Sequence, residues 1–154
     1  MTEQSLKATV QSDLHDAMRA RDKVRSGALR MALTSITNEE VAGKEARQLS
    51  DDEVLKVLAK EAKKRKEAAT AYRDAGHPDR AEAEEAELAV LEAYLPAQLD
   101  DAELEALVAQ AVTETGATGM PQMGQVMKAA QALVAGRADG GRVAAAVKAA
   151  LSGL

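Results

Sequence analysis

Apolar positions recur along this chain every three or four residues and rarely alternate, which is the periodicity of helices rather than strands. Leu6, Val10, Leu14, Ala17 and Met18 predict a first helix from about Lys7 to Arg21. Arg21-Asp22-Lys23 reads as a short polar turn. Val24, Leu29, Leu33 and Ile36 mark a second helix, which Gly43 would end. A polar loop from Gly43 to Leu49 follows. Ser50-Asp51-Asp52-Glu53 has the form of a capping box, in which the two end side chains each satisfy a free backbone N–H. It opens a long helix to about Asp74, with Gly76 at its C-terminal end. Pro78 suits the first turn of a fourth helix, because its missing N–H has no helical partner there. Leu88, Leu91 and Leu95 give that helix one apolar stripe, opposite Glu82, Glu85 and Glu92, and Pro96 stops it.

A hinge at Pro96–Leu99 divides the pattern into residues 1–96 and 97–154. Asp100 and Glu103 repeat the capping-box logic before Leu104, Leu107, Val108, Ala111 and Val112, and Gly116 closes that helix. Pro121 opens the next, with Met123, Val126, Met127, Ala130 and Leu133 inside and Gly136 at its end. Asp139 caps the last, which carries Val143, Val147 and Leu151. The expected fold is all-α: an N-terminal four-helix part with long helices and a C-terminal three-helix bundle, four long helices and three short. A C-terminal part of about 55 residues has a small core of its own. It is expected to lean on the N-terminal part or to fold with slim reserve.

Composition narrows the function classes. Apolar residues make up 46% of the 154 positions, with no Phe, no Trp and two Tyr. Strong helix formers dominate. The absence of cysteine excludes disulfides, thiol catalysis and thiolate metal sites. Glu3, Asp13 and Asp16 interrupt the first twenty residues, so neither a secretory signal nor a membrane span is expected, and a cytoplasmic location is the default. The net charge of −5 is unevenly spread. Residues 77–119 hold eleven acids and one base, whereas residues 120–154 hold four bases and one acid. An acidic balance argues against nucleic acid only for the middle of the chain.

Few motifs suggest chemistry. Gly136-Arg137-Ala138-Asp139-Gly140-Gly141-Arg142 could bring backbone close to a ligand through glycines at φ > 0. It could present N–H groups to phosphate at a helix N-terminus, gripped by Arg137 and Arg142. From spacing alone it reads rather as an ordinary helical corner with a cap and two solvated arginines. Lys56, Lys60, Lys63 and Lys64 share a helix face that could track a phosphate backbone, or form a solvated face paired with the glutamates of the next helix. Arg19, Arg21, Lys23, Arg25 and Arg30 could form a basic edge, diluted by Asp13, Asp16 and Asp22. Met120, Met123 and Met127 fit core gaps, or a partner groove. His77 stands where it could cap the helix after it, and His15 is far away, so no metal-ligand spacing exists. No nucleophile–base pair and no phosphate loop after a strand is present. No catalytic residue, cofactor site or metal site is therefore expected.

Several of these segments together resemble the GatB/YqeY family in its free-standing YqeY form. The paired segments Met123-Gly124-Gln125-Val126-Met127 and Gly136-Arg137-Ala138-Asp139-Gly140 carry the resemblance. Arg30-Met31, Glu61-Ala62-Lys63-Lys64-Arg65 and Glu92-Ala93-Tyr94-Leu95-Pro96-Ala97-Gln98-Leu99 extend it from about residue 5 to 151. The resemblance implies an all-helical protein whose C-terminal module is similar to the tail of the B subunit of the aminoacyl-tRNA amidotransferase. That tail is a tRNA-binding appendage, found also on a glutaminyl-tRNA synthetase. The family's label of carbon–nitrogen ligase with glutamine as amido donor belongs to the larger enzyme. This chain has no ATP loop and no amidase triad.

Many relatives carry lysine where Gln125 and Gly141 stand. Losing two cations weakens a phosphate grip, and Arg142 restores one a position later. The expectation is a non-catalytic tRNA-binding accessory protein, with Gly124, Lys128, Arg137, Gly140 and Arg142 facing the RNA backbone. The alternative is a helical module docking on an aminoacyl-tRNA synthetase or amidotransferase subunit. Neither DNA nor a membrane is an expected partner.

Overall fold

The computed structural model describes residues 4–154. Among them there are seven α-helices, one short 3-10 turn and no strand. The chain divides into two compact units, Met1–Leu95 and Pro96–Leu154.

The first unit holds α1 (Leu6–Arg19), α2 (Lys23–Glu40), α3 (Asp51–Asp74) and α4 (Pro78–Glu92). Each start follows from its cap. The Ser5 hydroxyl accepts from the Ala8 N–H, and the Asp22 carboxylate from the Arg25 N–H. Ser50 and Glu53 form the expected reciprocal box. That backbone hydrogen bond, and then Arg47 at 2.6 Å, hold the Glu53 carboxyl below its ordinary range. α1 ends two residues earlier than its apolar pattern suggested. Arg21 turns left-handed at φ 57, and the Asp22 N–H reaches back to the Ala17 carbonyl, closing the helix as in a Schellman motif. α2 ends at Glu40 rather than at Gly43. Glu40 is held there by Lys7 at 2.7 Å, and its carbonyl accepts the Arg47 N–H at 3.0 Å, so the polar loop folds back on the helix end.

Val10, Leu29, Ile36, Val54, Leu58 and Leu91, contributed by all four helices, are almost wholly buried together. Beyond this core, α3 and α4 continue as a hairpin whose only buried side chains are Ala69 and Ala81. Small residues let the helix axes approach closely, and ion pairs flank them. Arg73 grips Glu85 at 2.6 Å, and Arg65 reaches Glu84 and Glu87, both at 3.4 Å.

The second unit holds α5 (Asp101–Thr115), a 3-10 turn (Met120–Gln122), α6 (Met123–Val134) and α7 (Gly140–Ser152). Its core is built on one rule. Leu104, Val108 and Ala111 on α5, Val126, Ala130 and Val134 on α6, and Val143, Val147 and Leu151 on α7 recur every three or four residues and are all buried. β-branched and alanine side chains fill the centre, and the partly buried Met123, Met127 and Leu133 seal its margins. Gly116 closes α5 in the left-handed conformation, as expected.

Candidate nucleic-acid interface

The glycine-rich corner between α6 and α7 is where sequence placed the best ligand-binding chemistry. In the structure nearly every residue of it has a structural task. The left-handed positions are Ala135 (φ 50) and Gly136 (φ 78), which stop α6. The Arg137 guanidinium folds back over the end of α6. Its Nε donates to the Val134 carbonyl at 3.0 Å and its Nη2 to the Leu133 carbonyl at 2.9 Å. A cation at that place satisfies carbonyls that lack helical partners and sits favourably at the negative end of the helix. The Arg137 carbonyl accepts the Leu99 N–H at 2.8 Å. Ala138 is buried in the core, and Asp139 occupies the N-cap position of α7. Gly140 and Gly141 are ordinary helical residues at the start of α7. The positive φ expected of consecutive glycines thus falls earlier, on Ala135 and Gly136.

The five expected RNA-facing residues separate into two sets. Gly124 and Lys128 are exposed, one turn apart on one face of α6. Gly140 is exposed beside that face: a methyl group added to it would lie 4.0 Å from Gln131 Nε2. These three share a surface. Arg137 is partly buried and turned onto carbonyls. Arg142 points to the other side of α7, where its Nη2 meets Asp101 Oδ1 of α5 at 2.9 Å. It lines a shallow groove of about 290 Å³ with Asp101, Leu104, Glu105, Ala145 and Ala146. Two carboxylates border that groove against one guanidinium, so its potential disfavours phosphate. The same arginine contributes to holding Asp100 below its ordinary range, after the backbone and side-chain hydrogen bonds from Glu103. Lys148 on α7, which the sequence reading passed over, is exposed like Lys128.

The other candidate features also find definite places. Lys56, Lys60, Lys63 and Lys64 are exposed on α3, as their spacing indicated. Glu84, Glu85 and Glu87 of α4 are paired by Arg65 and Arg73. Arginine's planar fork reaches carboxylates bidentately, and these two lie on the flank of α3 that faces α4. Met123 and Met127 pack on the core, but Met120 is 41% exposed, with Ser152 Oγ 3.9 Å from its sulfur. His77 stands at the N-cap position of α4 and makes no side-chain cap bond. Among the described residues, no group of three or more His, Asp or Glu side chains is placed to hold a metal ion. No described helix is long and apolar enough to cross a membrane.

Two polar clusters escaped the sequence reading. The Glu61 carboxylate is buried at 4% exposure between α3 and α2. It accepts from Ser35 Oγ at 2.7 Å and from Lys64 at 3.1 Å. The Tyr94 hydroxyl, just past α4, donates to Asp13 of α1, and Arg25 stands 3.9 Å from the same carboxylate. Burial, and then Asp13, push the phenol up to about 12. Partners 26 and 81 residues apart leave no local periodic signal.

The model of the Yqey-like protein family matches residues 7–151. The chain is also similar to an uncharacterized protein of Schizosaccharomyces pombe (strain 972 / ATCC 24843). The two are 37% identical over 93 residues, which cover 60% of this chain and 73% of that one. The match spans both helical units and includes the α6–α7 corner and the buried Glu61, so the chain belongs to the YqeY-like family.

Proposed function

We propose that this chain is a tRNA-binding accessory protein with no chemistry of its own. The observation that carries this reading is family membership across both units, from residue 7 to 151, because the resemblance of the second unit to the amidotransferase tail brings tRNA with it. The surface of Gly124, Lys128 and Gly140 is the place for contact. Two exposed glycines let a sugar–phosphate backbone come close, and Lys128 supplies a charge. Recognition is by shape and backbone rather than by base edges. With so few cations, affinity is modest and falls steeply with salt.

The test is a fluorescence titration with total tRNA at two salt concentrations, against duplex DNA of similar length. Binding that prefers tRNA and weakens with salt supports the reading. No binding at low salt refutes it. ATP turnover above background with Glu-tRNA and glutamine present would refute the absence of chemistry.

One observation favours a second reading, a module that docks on a synthetase or amidotransferase subunit. Both arginines of the corner are engaged within the chain. Under that reading, partner binding survives RNase treatment and the replacement of Arg142.

A further inference from the structure

We infer that the outward face of α2 is a docking surface for an acidic amphipathic helix of a partner protein. The inference rests on the first unit alone and is independent of the tRNA reading. α2 carries no acid from Lys23 to Asn38, in a chain with 25 Asp and Glu. Its buried side is set by Ala28, Leu29, Ala32 and Ile36. Turned away from them, Val24, Gly27, Met31, Thr34 and Asn38 recur at alternating spacings of three and four. That is the seam along which one helix packs on another.

Met31 is 50% exposed and Val24 46%. About half of each side chain lies open to a partner's apolar stripe. Between them Gly27 is open, since an added methyl group would meet nothing within 4 Å, so a partner side chain or backbone can approach closely there. The Thr34 hydroxyl donates to the Arg30 carbonyl at 3.0 Å, and so demands no polar partner across the seam. From Val24 to Asn38 the seam runs about 21 Å, or two heptads.

Charge selects the partner. Lys23 and Arg30 flank the seam on α2, and Arg21 stands at the turn before it, all exposed. Among the described residues no carboxylate pairs with any of the three, whereas Arg19 and Arg25 are taken by Asp16 and Asp13. Unpaired cations beside a heptad-spaced seam that carries Val24 and Met31 match a helix with leucines on one face and glutamates at its margins. The exposed apolar pair Val24 and Met31, seven residues apart, has no use to a sugar–phosphate backbone, and this favours a protein helix over RNA.

The full chain is titrated against a fluorescein-labelled helical peptide of about 20 residues, about 30 Å long, with leucine at heptad a and d positions, glutamate at the flanking e and g positions, and alanine and glutamine elsewhere. A second peptide has lysine for every glutamate. The acidic peptide should bind, and the basic one should not. Met31→Glu should weaken binding by about tenfold or more, and Arg21→Ser/Lys23→Ser/Arg30→Ser should weaken it and flatten its salt dependence. All these positions are exposed, and an unchanged thermal melt for each variant verifies the fold.

No binding of the acidic peptide at low salt overturns the inference, as does equal binding by Met31→Glu. If tRNA displaces the peptide, and the triple variant loses tRNA while Met31→Glu keeps it, the face is an RNA surface and the inference is overturned in that direction. A chain that binds the peptide but not tRNA sinks the tRNA reading and leaves this one standing.

Discussion

Replacing Arg137 by Ala should destabilise the second unit alone, whatever the chain binds. The side chain makes two charge-assisted hydrogen bonds to the last carbonyls of α6, at 2.9 and 3.0 Å. Such bonds contribute about 1.5–3 kcal/mol each when fully buried. This guanidinium is only partly buried, so the pair is worth less than their sum. Loss of a cation from the negative end of the helix adds about 0.3–1 kcal/mol. A total of about 2 kcal/mol follows, and in a unit this small it lowers Tm by about 8–16 °C. The chain provides its own control. Its two tyrosines, Tyr72 and Tyr94, both lie in the first unit. Far-ultraviolet circular dichroism reports both units, whereas tyrosine fluorescence reports only the first. In Arg137→Ala, part of the dichroism transition should move to lower temperature while the fluorescence transition stays in place. A variant that melts like the parent would refute the assignment of Arg137 as the cap of α6. The result also bears on function, because a loss of tRNA affinity in this variant has to be read against the loss of fold.

The mirror experiment is Leu58→Ala, which empties a wholly buried site in the first core; it should cost about 2–5 kcal/mol and move the fluorescence transition. Ser35→Ala removes the 2.7 Å bond to the buried Glu61 and should cost about 1–3 kcal/mol by urea titration, and a neutral outcome would mean that Lys64 and Arg65 suffice for that carboxylate. Tyr94 has its phenol raised from 10.0 to about 12, so the folded chain keeps a proton that the unfolded chain gives up. Its contribution is whole below the unfolded value and is lost as pH rises through about 12; Tyr94→Phe should remove that part of the alkaline stability slope, and an unaltered slope would count against the partly buried Asp13 contact. Asp101→Asn frees Arg142, which lies on the other side of α7 from Gly124, Lys128 and Gly140, so tRNA affinity should change little; a clear rise at low salt would place Arg142 in the binding surface.

Most of the architecture was legible in the residues themselves. Helix starts were readable because a cap is a local event: Ser50 with Glu53 and Asp100 with Glu103 satisfy backbone groups within one turn. The second core could be read by counting, since Val126, Ala130 and Val134 lie on one face by helical geometry alone. Ends were harder. α1 stopped at Arg19 because Arg21 accepts a left-handed conformation, and α2 at Glu40 because Lys7 and the Arg47 N–H hold that residue; neither cause shows in a periodicity.

What only tertiary structure decided was the work of the charged side chains. Sequence placed two arginines at the α6–α7 corner and could read them as a phosphate grip or as solvated. The fold gave one to the last carbonyls of the preceding helix and the other to an aspartate 41 residues away. It likewise brought Glu84, Glu85 and Glu87 of α4 to Arg65 and Arg73, and set Lys64 on the buried Glu61. The physical reason is range. Helix propensity, capping and amphipathic spacing act within a few residues and so are written along the chain. A long cation can reach any carboxylate that packing brings near, and which one that is depends on how the helices lie against one another.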